Sequence, residues 1–207
     1  LKTSEYRRFV RTLASPPTTI RSGLRQAFRT KRVANLSHGI LGFKAETGEL
    51  IHSMAPYLNG YQITPHMILH TKEELGDALY FLTLMSDSLK VRLPSFNKRI
   101  KSKDTILVLI LSLDGIATEM LDIFKKTMYG SALNETKLAD LLPKAVQTLY
   151  ALCWSLYALT PDALVAQNVA KLKARYPEGA FKRDRAISRD LKQEAKAMKA
   201  VTAETPI

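Results

Sequence analysis

Glu46 and Glu49 lie three residues apart in AETGEL, and Glu74 and Asp77 repeat the interval in EELGD. Side chains three apart on a helix share a face, so each segment presents two acids in one direction. Apolar residues accompany both pairs: Leu41, Phe43, Leu50 and Ile51 beside the first, Leu75, Leu79 and Leu82 beside the second. The acids therefore border a buried stripe, where four like charges repel unless a cation joins them. Oxygen-only ligation by several carboxylates suits Mg²⁺, with Mn²⁺ as a substitute, rather than Zn²⁺. Two solvated helix faces are the plainer account of a single E-x-x-E. Two such pairs, with 24 residues between Glu49 and Glu74, favour a metal site.

Other reactive side chains carry less. Of His38, His52, His66 and His70, only the last two share a ligand-like spacing, i and i+4, and no third zinc ligand accompanies them. His38 precedes the acidic helix, where a surface or helix-start role competes with lining a pocket. Cys153 sits in an apolar stretch beside Trp154, as a buried structural thiol does. Asp87 reads as a surface acid near a helix end.

The elements that must position these groups are helices. With 207 residues, 46% hydrophobic and 24% charged, the chain is long enough for a substantial core and is globular in composition. We expect one all-α domain over residues 1–207, with no strand alternation and no hairpin signal. Helices are expected at 4–13, 19–31, 35–55 (halted at Pro56), 65–91, 103–129, 135–159, 161–175 and 184–200. RLPSFNKRIKSK is a polar, basic connection. One cysteine excludes an intrachain disulfide and fits a reducing compartment. The opening LKTSEYRRFVR lacks an apolar run, so no signal peptide is expected, nor any membrane span.

The net charge of +12 is unevenly spread. Residues 1–32 hold nine Lys/Arg and one Glu, residues 171–207 ten Lys/Arg and five acids, and the stretch between has a net charge of −1. Basic ends around an acidic centre suit a nucleic acid, or an anionic substrate drawn toward a metal. No aromatic residues interleave with the terminal cations in a stacking pattern, which counts against nucleic acid.

An internal repeat refines the organisation. Residues 40–60, ILGFKAETGELIHSMAPYLNG, align without a gap on residues 110–130, ILSLDGIATEMLDIFKKTMYG; residues 73–89 then align on 140–156. Repeat one, about 35–91, holds the carboxylates. Repeat two, about 105–160, has Ile116, Leu141 and Lys144 where Glu46, Glu74 and Asp77 stand, keeps Glu119, and adds Lys125 and Lys126. Residues 161–207 form a basic C-terminal segment. Two helical hairpins of this kind would bury their apolar faces on one another as a four-helix bundle.

These motifs resemble the MazG-like branch of the all-α nucleoside triphosphate pyrophosphohydrolases. Its E-x-x-E…E-x-x-D signature is met by Glu46, Glu49, Glu74 and Asp77, and EELGDALYFL is close to its second helix. Later family words appear as Lys125, Lys126, Tyr129 and Gly130, as NVAKLKARYPEGAF, and as Arg189-Asp190. The resemblance covers roughly 35–90 and 110–190, divided between the repeats, as in a tandem form whose second repeat has lost its ligands. It implies Mg²⁺ held by Glu46, Glu49, Glu74 and Asp77, these being also the catalytic set. It further implies a nucleoside triphosphate contacted by Lys125, Lys126, Tyr129, Asn168, Lys171, Arg175 and Tyr176, and release of pyrophosphate. It implies, too, a cytoplasmic protein of a bacterial or phage-infected cell, as a monomeric pseudo-dimer or a homodimer. A helical module that binds a nucleotide or nucleic acid without efficient hydrolysis is the competing reading, and a purely structural helical protein the third.

Overall fold

The computed structural model describes residues 3–13 and 15–203, and every regular element among them is a helix. These are α1 (Thr3–Leu13), α2 (Pro17–Ala27), α3 (Lys31–Leu58), α4 (Pro65–Leu89), α5 (Ile106–Thr127), α6 (Glu135–Tyr157), α7 (Pro161–Arg175), α8 (Arg183–Ile187) and α9 (Leu191–Ala203). The last residues of the basic C-terminal segment, 204–207, lie outside the described residues.

Apolar side chains recur at helical spacing and close four helices on one core. α3 packs on α4 and on α5, and α6 packs on both α5 and α4. Burial follows the alignment of 40–60 on 110–130. Ile40 and Ile110, Phe43 and Leu113, Thr47 and Ala117, Leu50 and Met120, and Met54 and Phe124 are all buried. Leu75 and Leu142, Ala78 and Ala145, and Leu82 and Leu149 do the same in α4 and α6. Each fully buried leucine contributes about 1.5–3 kcal/mol, so this shared stripe carries the bundle. Gly60 and Gly130, at matching positions, end their hairpin turns with φ of 82° and 93°, where a Cβ would be strained. Lys44 on α3 forms an ion pair with Asp114 on α5, a residue 70 positions further along.

The chain bends by 93° between α6 and α7, which turns α7 back across α4, and α9 packs on α7. No single described helix is long and apolar enough to cross a membrane.

Most helix ends shift by a few residues from the sequence expectation, α2 spanning Pro17–Ala27 rather than 19–31 and α5 Ile106–Thr127 rather than 103–129, and three differences have a local cause. α3 begins at Lys31 because the Thr30 hydroxyl accepts from the Val33 amide, capping the helix there. It also passes Pro56 and ends at Leu58. A proline this near the C-terminus removes one amide donor, while its carbonyl still accepts from Asn59 and Tyr61. The expected helix over 184–200 is broken at 188–190. There the Asp190 carboxylate accepts from the Gln193 amide and starts α9 afresh.

Candidate metal centre

The acidic face is built where α3 and α4 approach closely. A Cβ at Gly42 would stand 2.3 Å from ring atoms of Phe81, so the bare backbone of α3 lets that ring lie across it. With Leu50 and Phe43 on one helix and Leu75, Ala78 and Leu82 on the other all buried, the neighbouring acids converge. Carboxylate oxygens of Glu46, Glu74 and Asp77 lie within 4.8 Å of one another. Glu74 is only 3% exposed.

Electrostatics record the crowding. Burial, then a hydrogen bond to Glu74 and the charges of Asp77, Glu74 and Glu49, push the Glu46 carboxyl up to about 9. Glu74 rises to about 7, chiefly by burial; the Glu46 hydrogen bond opposes the rise, while Glu49, Asp77 and Glu73 add to it. Without a cation the pair holds a proton, with the Glu46 carboxyl donating to Glu74. Glu49 is exposed and stands outside the convergent group, close enough for its charge to act on both.

α7 lies over this face. A Cβ at Gly76 would already touch Asn168 Cβ at 3.4 Å and the Leu164 carbonyl at 3.5 Å. The contact sets Asn168 and Lys171, three apart on α7, directly on Asp77. The Asn168 amide donates to Asp77 Oδ1 at 2.5 Å, and Lys171 Nζ donates to Asp77 Oδ2 and, at 3.2 Å, to Glu73. Lys171 is fully buried. One turn on, Arg175 grips Glu194 of α9 through two bonds, 2.9 and 2.7 Å, and Arg189 reaches the same carboxylate at 2.7 Å and Glu73 at 3.5 Å. Burial alone would raise the Glu194 carboxyl, but the hydrogen bonds from Arg175 and Arg189 hold it at about 2.

A cavity of about 510 Å³ opens beside the acids, with Glu46 and Asp77 in its lining. Aromatic rings form its walls: His38 meets Phe81 edge-on with centroids 5.3 Å apart, and Tyr176 leans on Phe181 at 5.8 Å. Arg175 and Arg189 also line it. Acids, cations and aromatic walls thus share one concave space.

Most residues singled out from sequence meet here: Glu46, Glu74, Asp77, Asn168, Lys171, Arg175 and Tyr176, with Glu49 nearby. Lys125, Lys126 and Tyr129 do not line the cavity. They are exposed at the end of α5, where Lys126 pairs with Asp122 at 2.8 Å. Lys171 differs from expectation in another way, since its ammonium is engaged by the acids rather than free for a phosphate. No family model matches the chain, nor does any curated protein or solved structure at a significant level.

Several site residues escaped the sequence reading. His70 Nδ1 lies 2.7 Å from Glu74, and His70, Glu73 and Glu74 form a second group able to share an ion. Its spacing to Glu74, i and i+4, was a usable signal. Tyr80 and Phe81 follow Asp77 by one helical turn and line the cavity; their position on the acidic face could have marked them. Glu194 gave no local signal, because its role depends on where α9 folds back. His66 and His70 stand ring to ring, centroids 6.3 Å apart. Cys153 is fully buried, and burial pushes its thiol up to about 12, as an inert structural thiol requires. Asp87 is exposed.

Proposed function

We propose that the protein is a Mg²⁺-dependent nucleoside triphosphate pyrophosphohydrolase, cleaving between the α- and β-phosphates to leave a nucleoside monophosphate and pyrophosphate. The observation that carries this reading is the convergence of Glu46, Glu74 and Asp77 beside a cavity that Glu46, Asp77, two arginines and aromatic rings line. The donor set fits a hard divalent cation: it is all carboxylate oxygen, and burial together with neighbouring charge raises the Glu46 and Glu74 carboxyls, a crowding that a cation would relieve. A divalent ion bound there supplies charge neutralisation and an acidified water.

The chain's own residues have distinct tasks. Glu46, Glu74 and Asp77 would hold the cation, and Glu49, at the exposed edge, would ligate it or take a proton from the attacking water. Lys171 and Asn168 fix the Asp77 carboxylate, which keeps lone pairs to spare for ligation. Arg175 and Arg189 have five N–H donors each, enough to hold Glu194 and still meet phosphate oxygens. The His38, Phe81, Tyr176 and Phe181 rings offer faces for a base.

On this reading the chain belongs to the MazG-like branch as a fused pair of hairpins with one working centre. The ion pair between Lys44 and Asp114, equivalent positions of the aligned segments, is what a two-fold-like contact between two copies would produce. Among the described residues, the groups able to share an ion all lie on the first hairpin. In the second, Glu119 pairs with Lys137 at 2.6 Å, and Leu141 is buried in the core. Pyrophosphate release from a panel of nucleoside triphosphates, with and without Mg²⁺, tests the proposal. Turnover should require Mg²⁺ and vanish in Asp77→Asn; equal activity in that variant would contradict it.

A further inference from the structure

The connection between the two hairpins, residues 90–105, is not a slack linker. Val91, Leu93, Phe96 and Ile100 are half-buried and pack against the core. The Pro94 carbonyl accepts from the Tyr150 hydroxyl at 3.1 Å, and the Phe96 carbonyl from the Asp162 amide at 3.1 Å. Anchored in this way, the segment displays Arg92, Lys98, Arg99 and Lys101, all exposed. Those four cations line an open groove of about 1080 Å³ whose opposite wall includes Pro143 and Gln147 of α6.

The groove differs from the cavity at the carboxylates in one respect that matters. There the buried cations are matched by Asp77, Glu73 and Glu194. Here, among the described residues, no carboxylate lines the groove and none of the four cations makes an ion pair; Arg99 instead lies over the Trp154 ring, 5.2 Å from its centroid. Four like charges held on an anchored segment repel one another, and an anionic partner relieves that repulsion. No aromatic side chain lines the groove to stack a base, so contact would run to phosphates rather than to sequence. Leu93 and Ile100 reach the groove's lining but are half-buried against the core, which leaves no exposed apolar side chain there to insert into a lipid surface.

We propose that this groove binds the phosphodiester backbone of a nucleic acid, without sequence preference, at a site separate from the carboxylate cluster. The proposal does not depend on the pyrophosphohydrolase reading.

Fluorescence anisotropy with a labelled 20-nucleotide single strand and its duplex, in DNA and RNA forms, tests it across a salt series. The wild-type chain should bind at low salt, and its duplex affinity should fall with a log–log slope of about −2.7 to −3.6 for three or four neutralised phosphates. A triple variant, Arg92→Glu with Lys98→Glu and Lys101→Glu, spares Arg99 and its packing; it should keep its helical circular dichroism and bind at least tenfold more weakly. An Arg7→Glu, Arg8→Glu, Arg11→Glu variant of the exposed α1 should bind within about twofold of wild type, because the groove is intact. Absence of wild-type binding would overturn the proposal. So would an unaltered affinity in the groove variant, loss confined to the α1 variant, or binding to phosphatidylglycerol vesicles but to neither nucleic acid.

Discussion

Replacing Lys171 by Met isolates the buried cation that the structure sets among the acids. Methionine keeps most of the aliphatic stem and removes only the charge. In the folded chain that charge meets Asp77 and, at 3.2 Å, Glu73, with the lysine side chain 1% exposed and its partners 21% and 26% exposed. Removing one member of a fully buried pair costs about 3–5 kcal/mol. Because both carboxylates retain some solvent, we expect the lower end, about 3 kcal/mol. For a domain of this size each kcal/mol moves Tm by about 2–4 °C, so the metal-free variant should melt about 6–12 °C below wild type. Added Mg²⁺ should then narrow the gap, since Asp77 no longer shares its oxygens with an ammonium and the acids have lost their resident countercharge. Wild type gains from Mg²⁺ as well, so the gap closes only by the difference in affinity: tenfold tighter binding by the variant would close it by about 1.4 kcal/mol. Thermal melts followed by circular dichroism, with and without Mg²⁺, read both quantities. A variant melting within about 2 °C of wild type, or a gap that Mg²⁺ leaves unchanged, would refute the assignment of Lys171 as an internal counter-ion.

The raised carboxyls of Glu46 and Glu74 set a pH dependence. Between the ordinary value of 4.5 and the raised values of about 9 and about 7, the folded chain binds more protons than the unfolded one. Stability therefore falls as pH rises through that window. Metal-free Tm should decline from about pH 5 to pH 9, and Glu46→Gln should flatten the decline; a flat wild-type profile would count against the cluster. Gly42→Ala should displace the Phe81 ring, whose atoms would lie 2.3 Å from the new Cβ. It should raise KM for nucleotide several-fold while Mg²⁺ still raises Tm, as initial-rate kinetics and melts would reveal. Glu49→Gln should lower kcat at least tenfold with helix content unchanged, and wild-type turnover in that variant would remove Glu49 from the site.

Fold class and the central acids were legible because both rest on local spacing. Glu46, Glu74 and Asp77 fall beside apolar residues at helical intervals, and the helices bring them together as that pattern requires. Asn168, Lys171 and Arg175 share a face of α7, but their partners could not be read: Lys171 looks like a surface phosphate ligand until α7 is seen crossing α4 at Gly76, where even an added Cβ would touch Asn168. Lys125 and Lys126 were assigned to the site by the family resemblance. Their place at the end of α5 depends on how two hairpins pack, which no local spacing encodes. The same holds for Glu194, whose partners Arg175 and Arg189 are set by the break at 188–190 and the return of α9. The basic connection was visible as composition, whereas its inward anchors, Val91, Leu93, Phe96 and Ile100, follow only from the bundle they close against.

Hydrolysis of a nucleoside triphosphate in ¹⁸O-labelled water, with products analysed by mass spectrometry, tests the central claim most directly. With Mg²⁺ present, one ¹⁸O should appear in the nucleoside monophosphate and the released pyrophosphate should stay unlabelled, with no label incorporated by Asp77→Asn. Label in orthophosphate, label in pyrophosphate, or the absence of turnover across ribo- and deoxyribonucleotides would contradict it.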